Sequence, residues 1–307
     1  MRTRTNAVAV AALAICSSGG LPAQKGGLDI LDGETLWADG GQVFLSEVYR
    51  SSSRFFRGSE QAPDPLNRVL RESRTTLGLN YGLLGELTVS ALVPWIHNEL
   101  TVDGPSGRDT DVADGLGDTT LLAKYRLWKT DWYLGSCNWA LFVGGEIPTG
   151  ETDETADGVR LAPALQPGSG SWDAIAATAL TFEQDRFKLN GALVYEHPGE
   201  GAQDYTFGDL FVAELTPGYR LIVDKFPGPL LRLDLGLQWR HESPADAAGA
   251  RVADSGGDLL LFRPGLVFWP RPWWGIVLAA ELPLWRDVGG SQVGLDDGIF
   301  LSVSYRF

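Results

Sequence analysis

The sequence predicts an all-β protein, a closed antiparallel transmembrane β-barrel of about 12 strands. Three observations predict this fold: a short apolar leader, side chains that alternate between apolar and polar over stretches of about ten residues, and aromatic residues near both ends of these stretches. An alternating strand has one apolar and one polar face. Outer-membrane barrels combine such strands with two girdles of aromatic side chains.

The first 23 residues have the three parts of a signal peptide. Basic residues precede the apolar run 7–15, and small residues lead to Ala23. The run is too short to span a membrane, which takes roughly 20 apolar residues in a helix. We expect cleavage after Ala23. The alternative is a lipoprotein with its lipid on Cys16, although Ile15 is bulkier than the residue expected before an attachment site.

Composition and charge exclude several classes of function. The formal net charge is −14 and no basic stripe exists, so nucleic acid is not expected as a partner. Cys137 is the single cysteine after residue 23, and no Cys/His cluster predicts a metal site or cofactor. The acidic run Asp109–Asp118 departs from the EF-hand pattern at its fifth and twelfth positions. We interpret this run as a solvated loop, and an oxygen cage facing lipopolysaccharide phosphates stays open as the alternative.

Period-two alternation is clearest at the C-terminal end. Apolar residues from Ile299 to Phe307 occupy every second position. The final aromatic residues Tyr305 and Phe307 resemble the signal that the barrel-insertion machinery recognises. The same alternation predicts twelve strands, with approximate spans of 41–51, 72–82, 86–96, 117–128, 137–148, 172–182, 187–196, 207–219, 230–241, 258–269, 274–284 and 297–307.

The connections between these strands alternate between longer and mostly short. Outer-membrane barrels have longer loops outside and short turns in the periplasm, and an even strand count returns both termini to the periplasm. Residues 41–307 therefore form the predicted barrel. Residues 24–40 contain no evident strand and are a candidate plug, because a barrel of this size leaves only a narrow interior.

Charged residues on the predicted strands are assigned to the lumen, because a charge facing lipid costs about 2–4 kcal/mol near the midplane. The candidate pore-lining residues are Lys124, Arg126, Glu146, Lys188, Glu214, Arg232, Arg240 and Glu281, and the same alternation turns Glu196 and Asp234 inward. They form either a mixed-charge lining for a solute or a pairing network that fills the interior.

An enzyme is not expected, because the sequence contains no nucleophile elbow, phosphate-binding loop or H-E-x-x-H motif. The three histidines, His97, His197 and His241, fall where strands enter the longer loops. With Ser243 close to His241, a membrane hydrolase at the outer rim remains an alternative.

Several motifs resemble those of a known family. They are L-V-P-W at 92–95, G-L-G-D at 115–118, L-A-K-Y-R at 122–126 and E-I-P-T-G at 146–150. In this order they are similar to the outer-membrane transporter family named for the meta-pathway of phenol degradation. The resemblance covers residues 72–150 and implies a β-barrel transporter of aromatic or other hydrophobic compounds.

These observations together predict passive uptake or export of a small compound, hydrophobic or aromatic in character. The expected location is the outer membrane of a Gram-negative-type cell. The expected partners are outer-membrane lipid, lipopolysaccharide, the barrel-insertion machinery and the solute. A barrel without an open pore, serving as a structural or surface-binding protein, is the main alternative, and the hydrolase is the other.

Overall fold

The computed structural model describes residues 31–104 and 107–307. The predicted signal peptide and Cys16 lie outside the described residues. Eleven long strands form the barrel: β1 (Gly41–Gly58), β2 (Val69–Leu84), β3 (Leu87–Gly104), β4 (Thr119–Trp132), β5 (Gly135–Ile147), β6 (Asp173–Gln184), β7 (Phe187–His197), β8 (Leu210–Val223), β9 (Leu230–Glu242), β10 (Gly257–Arg271) and β11 (Trp274–Arg306).

Shorter elements lie in the connections. They are the strands Glu60–Gln61, Gly107–Leu116, Thr155–Ala156, Val159–Arg160, Tyr205–Thr206, Asp246–Ala247 and Ala250–Arg251, and the 3-10 helices Pro163–Leu165 and Ala202–Asp204. Within the described ranges, no helix has the length and apolar character to cross a membrane.

Each barrel strand pairs antiparallel with the next, and β11 pairs with β1 to close the sheet. At this seam Gln42 lies opposite Arg306. The Gly41 N–H donates to the Phe307 carbonyl at 2.8 Å, and the Phe307 N–H donates to the Gly41 carbonyl at 2.9 Å. The predicted closed antiparallel barrel is confirmed.

The last strand, β11, supplies two of the predicted strands. Its 33 residues include a reversal at Gly290, whose φ of +65° favours glycine. The part from Trp274 to Val288 pairs with β10, and the part from Val288 to Arg306 pairs with β1. Each part is antiparallel to its partner, so the chain crosses the barrel twelve times, as the alternation predicts.

Four strands, β1, β2, β3 and β11, are longer than predicted at the end of the barrel that carries the long loops. This loop end is opposite the turn end, where short turns join β2 to β3, β4 to β5 and β6 to β7. The predicted acidic loop is wrong in part, because Gly107–Leu116 pairs with β3 as a hairpin. Backbone pairing continues above the lipid, where neither face must be apolar, so the alternation that marks a strand fades there.

The side chains separate as the alternation predicts. Ile299, Leu301 and Val303 are exposed on the outer surface, and Phe300 between them is fully buried. The lumen is packed rather than open along one side, with a cluster of buried apolar side chains: Leu31, Phe44, Leu92, Leu122, Ala140, Phe142, Ile175, Ala179, Ala192, Val194, Leu210 and Val212. A barrel of this size therefore encloses a core as well as any path.

We predict that Leu237→Arg destabilises the barrel by about 2–4 kcal/mol, because Leu237 faces outward near the middle of β9 and an arginine there would meet hydrocarbon. Denaturant unfolding in lipid vesicles measures the change. Tyr133→Arg is the control, since Tyr133 lies in a turn and is 85% exposed. Equal stability of the two variants would contradict a lipid-facing surface at Leu237.

Candidate functional site

The segment before β1 lies inside the barrel. Lys124 Nζ donates to Asp32 Oδ1 at 2.8 Å, and Lys188 Nζ contacts Glu34 Oε2 at 3.0 Å. Leu31 belongs to the apolar cluster of the lumen. The two lysines come from the inner faces of β4 and β7, so they hold the segment across the interior from two sides. We call residues 31–36 the inner segment.

Further contacts place the inner segment near the turn end. Leu36 N–H donates to Thr88 Oγ1 at 3.0 Å, and Thr35 Oγ1 donates to the carbonyl of Gly85 in the turn between β2 and β3, at 2.7 Å. A side chain at Gly33 would overlap the backbone carbonyl of Asn138 in β5. Only glycine allows this close approach to the wall.

The ion pair at Glu34 persists over a wide pH range. The Lys188 ammonium lowers the pKa of Glu34 to about 2, chiefly by charge attraction. A carboxyl group whose folded-state pKa is depressed stabilises the folded form above its unfolded pKa and loses that contribution as the pH falls towards the folded value. This anchor of the inner segment is therefore present at neutral and mildly acidic pH.

A second group of charges lies towards the loop end. Arg50 Nε donates to Glu281 Oε2 at 2.7 Å, and Arg263 lies 2.8 Å from Glu214 Oε2 and 3.6 Å from Glu281 Oε1. These side chains come from β1, β8, β10 and β11 and are largely buried. Buried ion pairs of this kind fix geometry more surely than they add stability, because removing both charges from water is costly.

The structure turns all eight candidate pore-lining residues inward but divides them among separate clusters. Lys124 and Lys188 bind the inner segment, and Glu214 and Glu281 bind arginines. Arg232 pairs with Asp234 at 2.7 Å. The other three contacts are Arg126 with the Gly85 carbonyl, Arg240 with Gln238 and Glu146 with Thr120. Their part in lining a path for a solute stays a prediction.

Not every aromatic residue near a strand end belongs to a girdle. Trp269 lies near the end of β10 that faces a short turn, yet its ring lies 5.2 Å from the Arg232 guanidinium, in the lumen. Trp269 is an even number of residues from the buried Arg263 and Val267 on β10, so its side chain is on the same face of the strand. Stacking an indole on a guanidinium retains a favourable contact for both groups within the interior.

Three carboxylates meet beneath the loop that joins β5 to β6. Glu146, Asp173 and Glu196 offer oxygen atoms that all lie within 4.8 Å of one another, beside a cavity of about 90 Å³. Asp173 stands opposite Glu146 in the register of β5 and β6. Sequence reasoning missed Asp173, because it lies at the first position of a strand and only the pairing brings it to Glu146.

Oxygen clusters of this type suit a divalent cation or a proton shared between carboxyl groups. The acidic run predicted as a loop forms no such group. Asp114 bonds Trp95 on the outer surface, and Asp118 is buried on the inner side. Within the described residues, no set of three close carboxylates includes a member of that run.

Asp118 explains two of the sequence motifs. Its carboxylate accepts hydrogen bonds from the Gly150 N–H at 2.9 Å, from the Ser169 N–H at 2.6 Å and from Ser169 Oγ at 2.7 Å. A Cβ at Gly150 would lie 2.6 Å from the Gly168 Cα and 2.8 Å from the carbonyl carbon of Gly117. The G-L-G-D and P-T-G motifs therefore meet and tie the loop 148–172 down.

The histidines do not converge on one site. Each lies on the outer surface of a different strand and pairs through Nδ1 with an aspartate: His97 with Asp114 at 3.4 Å, His197 with Asp209 at 2.7 Å and His241 with Asp258 at 3.0 Å. In each case the aromatic residue two positions earlier also donates to that aspartate. Each aspartate lies further along the chain than its histidine, on a neighbouring strand or just before it. The pairing could therefore not be recognised before the strands were aligned.

The fold and the charged, partly filled lumen define the class: a closed antiparallel barrel of the type found in outer membranes. The chain belongs to the family described as "Putative MetA-pathway of phenol degradation", whose profile matches residues 61–293. The resemblance found in the sequence motifs is therefore confirmed. No curated protein matches the sequence significantly.

The chain also aligns with solved structures. An outer-membrane channel from Pseudomonas putida F1 aligns with a TM-score of 0.67 at 16% identity, covering 92% of this chain and all of that one. The β-domain of the Bordetella autotransporter BrkA aligns with a TM-score of 0.45 at 12% identity, covering 88% of this chain and all of that one. The likeness to the Pseudomonas putida channel supports the barrel fold.

We predict that Asp118→Asn loosens the loop 148–172, because a charged acceptor of three hydrogen bonds is replaced by a neutral one. Each such bond contributes about 1.5–3 kcal/mol, so local opening should increase roughly tenfold or more. Limited trypsin cleavage after the exposed Arg160 reports this opening. Asp114→Asn on the outer surface is the matched control. Identical cleavage rates for both variants would show that Asp118 does not hold the loop.

Proposed function

We propose that this protein is an outer-membrane channel for passive passage of a small hydrophobic or aromatic compound. Membership in the phenol-degradation family and a barrel resembling a Pseudomonas putida channel support the proposal. The lumen supports it too, since apolar side chains line one side and charged pairs line the other. Such a lining suits a compound with an apolar body and few polar groups.

The single observation that carries the proposal is the placement of the inner segment. It is held in the lumen by polar contacts and two lysine ion pairs rather than by continuation of the sheet. These contacts lie outside the ladder of hydrogen bonds between strands, so the segment can leave its place while the barrel stays closed. We therefore propose that residues 24–40 act as a plug that restricts the turn end and moves to admit the solute.

Other parts of the proposal concern export and assembly. Residues 1–23 direct export and are cleaved, and Tyr305 and Phe307 provide the insertion signal for the assembly machinery. Both aromatic side chains face outward, and their rings stack at 6.3 Å. Outer-membrane lipid and lipopolysaccharide are the surrounding partners, and we propose no enzymatic role, because the histidine–aspartate pairs lie apart on the outer surface.

We predict that deletion of residues 24–36 raises single-channel conductance in planar bilayers, because the inner segment occupies the lumen near the turn end. Gly33→Val should act in the same direction, since its side chain would collide with the Asn138 carbonyl and expel the segment. Unchanged conductance in both variants would exclude the plug. Absence of both conductance and phenol flux in the unmodified protein would oppose the channel itself.

We predict that Lys124→Met combined with Lys188→Met increases the frequency of open events. Each substitution removes one ion pair and leaves an acidic group of the inner segment without its partner. Single-channel recording measures the open fraction. Lys129→Met is the matched control, because Lys129 pairs with Asp131 outside the lumen. If the control changed gating as much as the double variant, the lysine anchors would have no special role.

A further inference from the structure

A cavity of about 110 Å³ lies in the loop-end half of the lumen, among β1, β2, β8, β9, β10 and β11. It is distinct from the space around the inner segment and from the three-carboxylate cluster. Six aliphatic side chains contribute to its lining: Leu70, Leu210, Leu259, Val288, Val293 and Leu295. An engineered apolar cavity of about 150 Å³ binds benzene, so a cavity of this size suits one ring or a short chain.

Arg50 brings unused hydrogen-bond donors to this cavity. Its side chain is 4% exposed and its Nε is bonded to Glu281. The two terminal nitrogens have no hydrogen-bond acceptor among the described residues, and the contact of Nη1 with Glu72 Oε2 is 3.9 Å long. Leaving buried donors without an acceptor is unfavourable, because they lose the hydrogen bonds that water would give them. The guanidinium is therefore suited to an acceptor that enters the cavity.

Arg240 adds a second cation to the same lining. Its Nε donates to Gln238 Oε1 at 2.7 Å, and within the described part of the chain no carboxylate lies within 4.0 Å of its guanidinium. Arg50 and Arg240 come from β1 and β9, on two sides of the lumen. A single anionic group between them could contact both.

The charge around the cavity favours an anion. The cavity is lined by three guanidinium groups, those of Arg50, Arg240 and Arg286, and by the acidic residues Glu72, Glu242 and Asp258. The carboxylate of Asp258 accepts hydrogen bonds from Trp239 and His241 on the outer surface. The remaining charged lining therefore has one positive charge in excess.

We propose that this cavity binds a small organic monocarboxylate with an aromatic or short aliphatic body. The carboxylate accepts hydrogen bonds from Arg50 and Arg240, and the body packs against the six aliphatic side chains. This pairing satisfies the donors of Arg50 and neutralises the excess charge. The inference deepens the proposed function by naming a solute class. It rests on that function only where it assigns the cavity to the route of the solute through the barrel.

The test uses the full-length protein in non-ionic detergent and 4-fluorobenzoate, followed by fluorine NMR. We expect saturable binding that Arg240→Gln weakens at least about tenfold, as loss of a charge-assisted hydrogen bond implies. The neutral probe 4-fluorobenzyl alcohol should bind more weakly and respond little to Arg240→Gln. Leu259→Trp should reduce binding of both probes, because the larger side chain fills the cavity.

Arg71→Gln is the control, since Arg71 adjoins Leu70 in sequence but pairs with Glu99 on the outer surface. Heat-dependent mobility in electrophoresis verifies that each variant forms the barrel. Absence of saturable benzoate binding, or binding that neither Arg240→Gln nor Leu259→Trp alters, would overturn the inference.

A parallel measurement of phenol flux into vesicles separates this inference from the proposed function. Flux without benzoate binding would leave the channel standing and remove the carboxylate site. Benzoate binding without flux of phenol or benzoate would leave the site standing and oppose the channel.

Discussion

Closure of the backbone hydrogen-bond ladder is the constraint on which the rest of this structure depends. Hydrocarbon offers no partner to a peptide group, so a sheet that spans lipid must pair its first strand with its last. Here the reciprocal bonds between Gly41 and Phe307 complete the cylinder. Closure creates an interior, and it forces every second side chain towards either lipid or that interior. Both the apolar outer surface and the charged lumen follow from it.

The interior that closure creates is too narrow to stay empty and too wide to be filled by strand side chains alone. The protein fills it unevenly. Apolar side chains pack around Leu31 on one side, arginine–carboxylate pairs cross the other, and the inner segment enters from the turn end. The charges are costly to bury singly, so each is paired with a neighbour or faces a cavity. Arg50 and Arg240 both line the cavity in the loop-end half of the lumen, which is where we propose that a ligand binds.

Buried polar groups at the loop end are also satisfied by hydrogen bonds. Asp118 is buried, and it accepts bonds from the loop that covers the lumen instead of remaining solvated. The short turns at the turn end and the extended hairpins at the loop end therefore have different causes. Turns only reverse the chain, whereas Asp118, Gly150 and Gly168 shape a cover over the three-carboxylate cluster.

Much of this protein was determined by its sequence alone. Alternation such as that from Ile299 to Phe307 fixes which side chains face lipid, because a strand has a period of two and charge is excluded from hydrocarbon. That argument gave the barrel, twelve crossings and the inward position of Lys124 or Arg232. It could not give partners, since strand order in space and register decide which inward residues meet. Only the tertiary structure showed Asp173 beside Glu146, Trp269 against Arg232, and Lys188 holding Glu34, because these contacts join residues whose separation along the chain carries no local pattern.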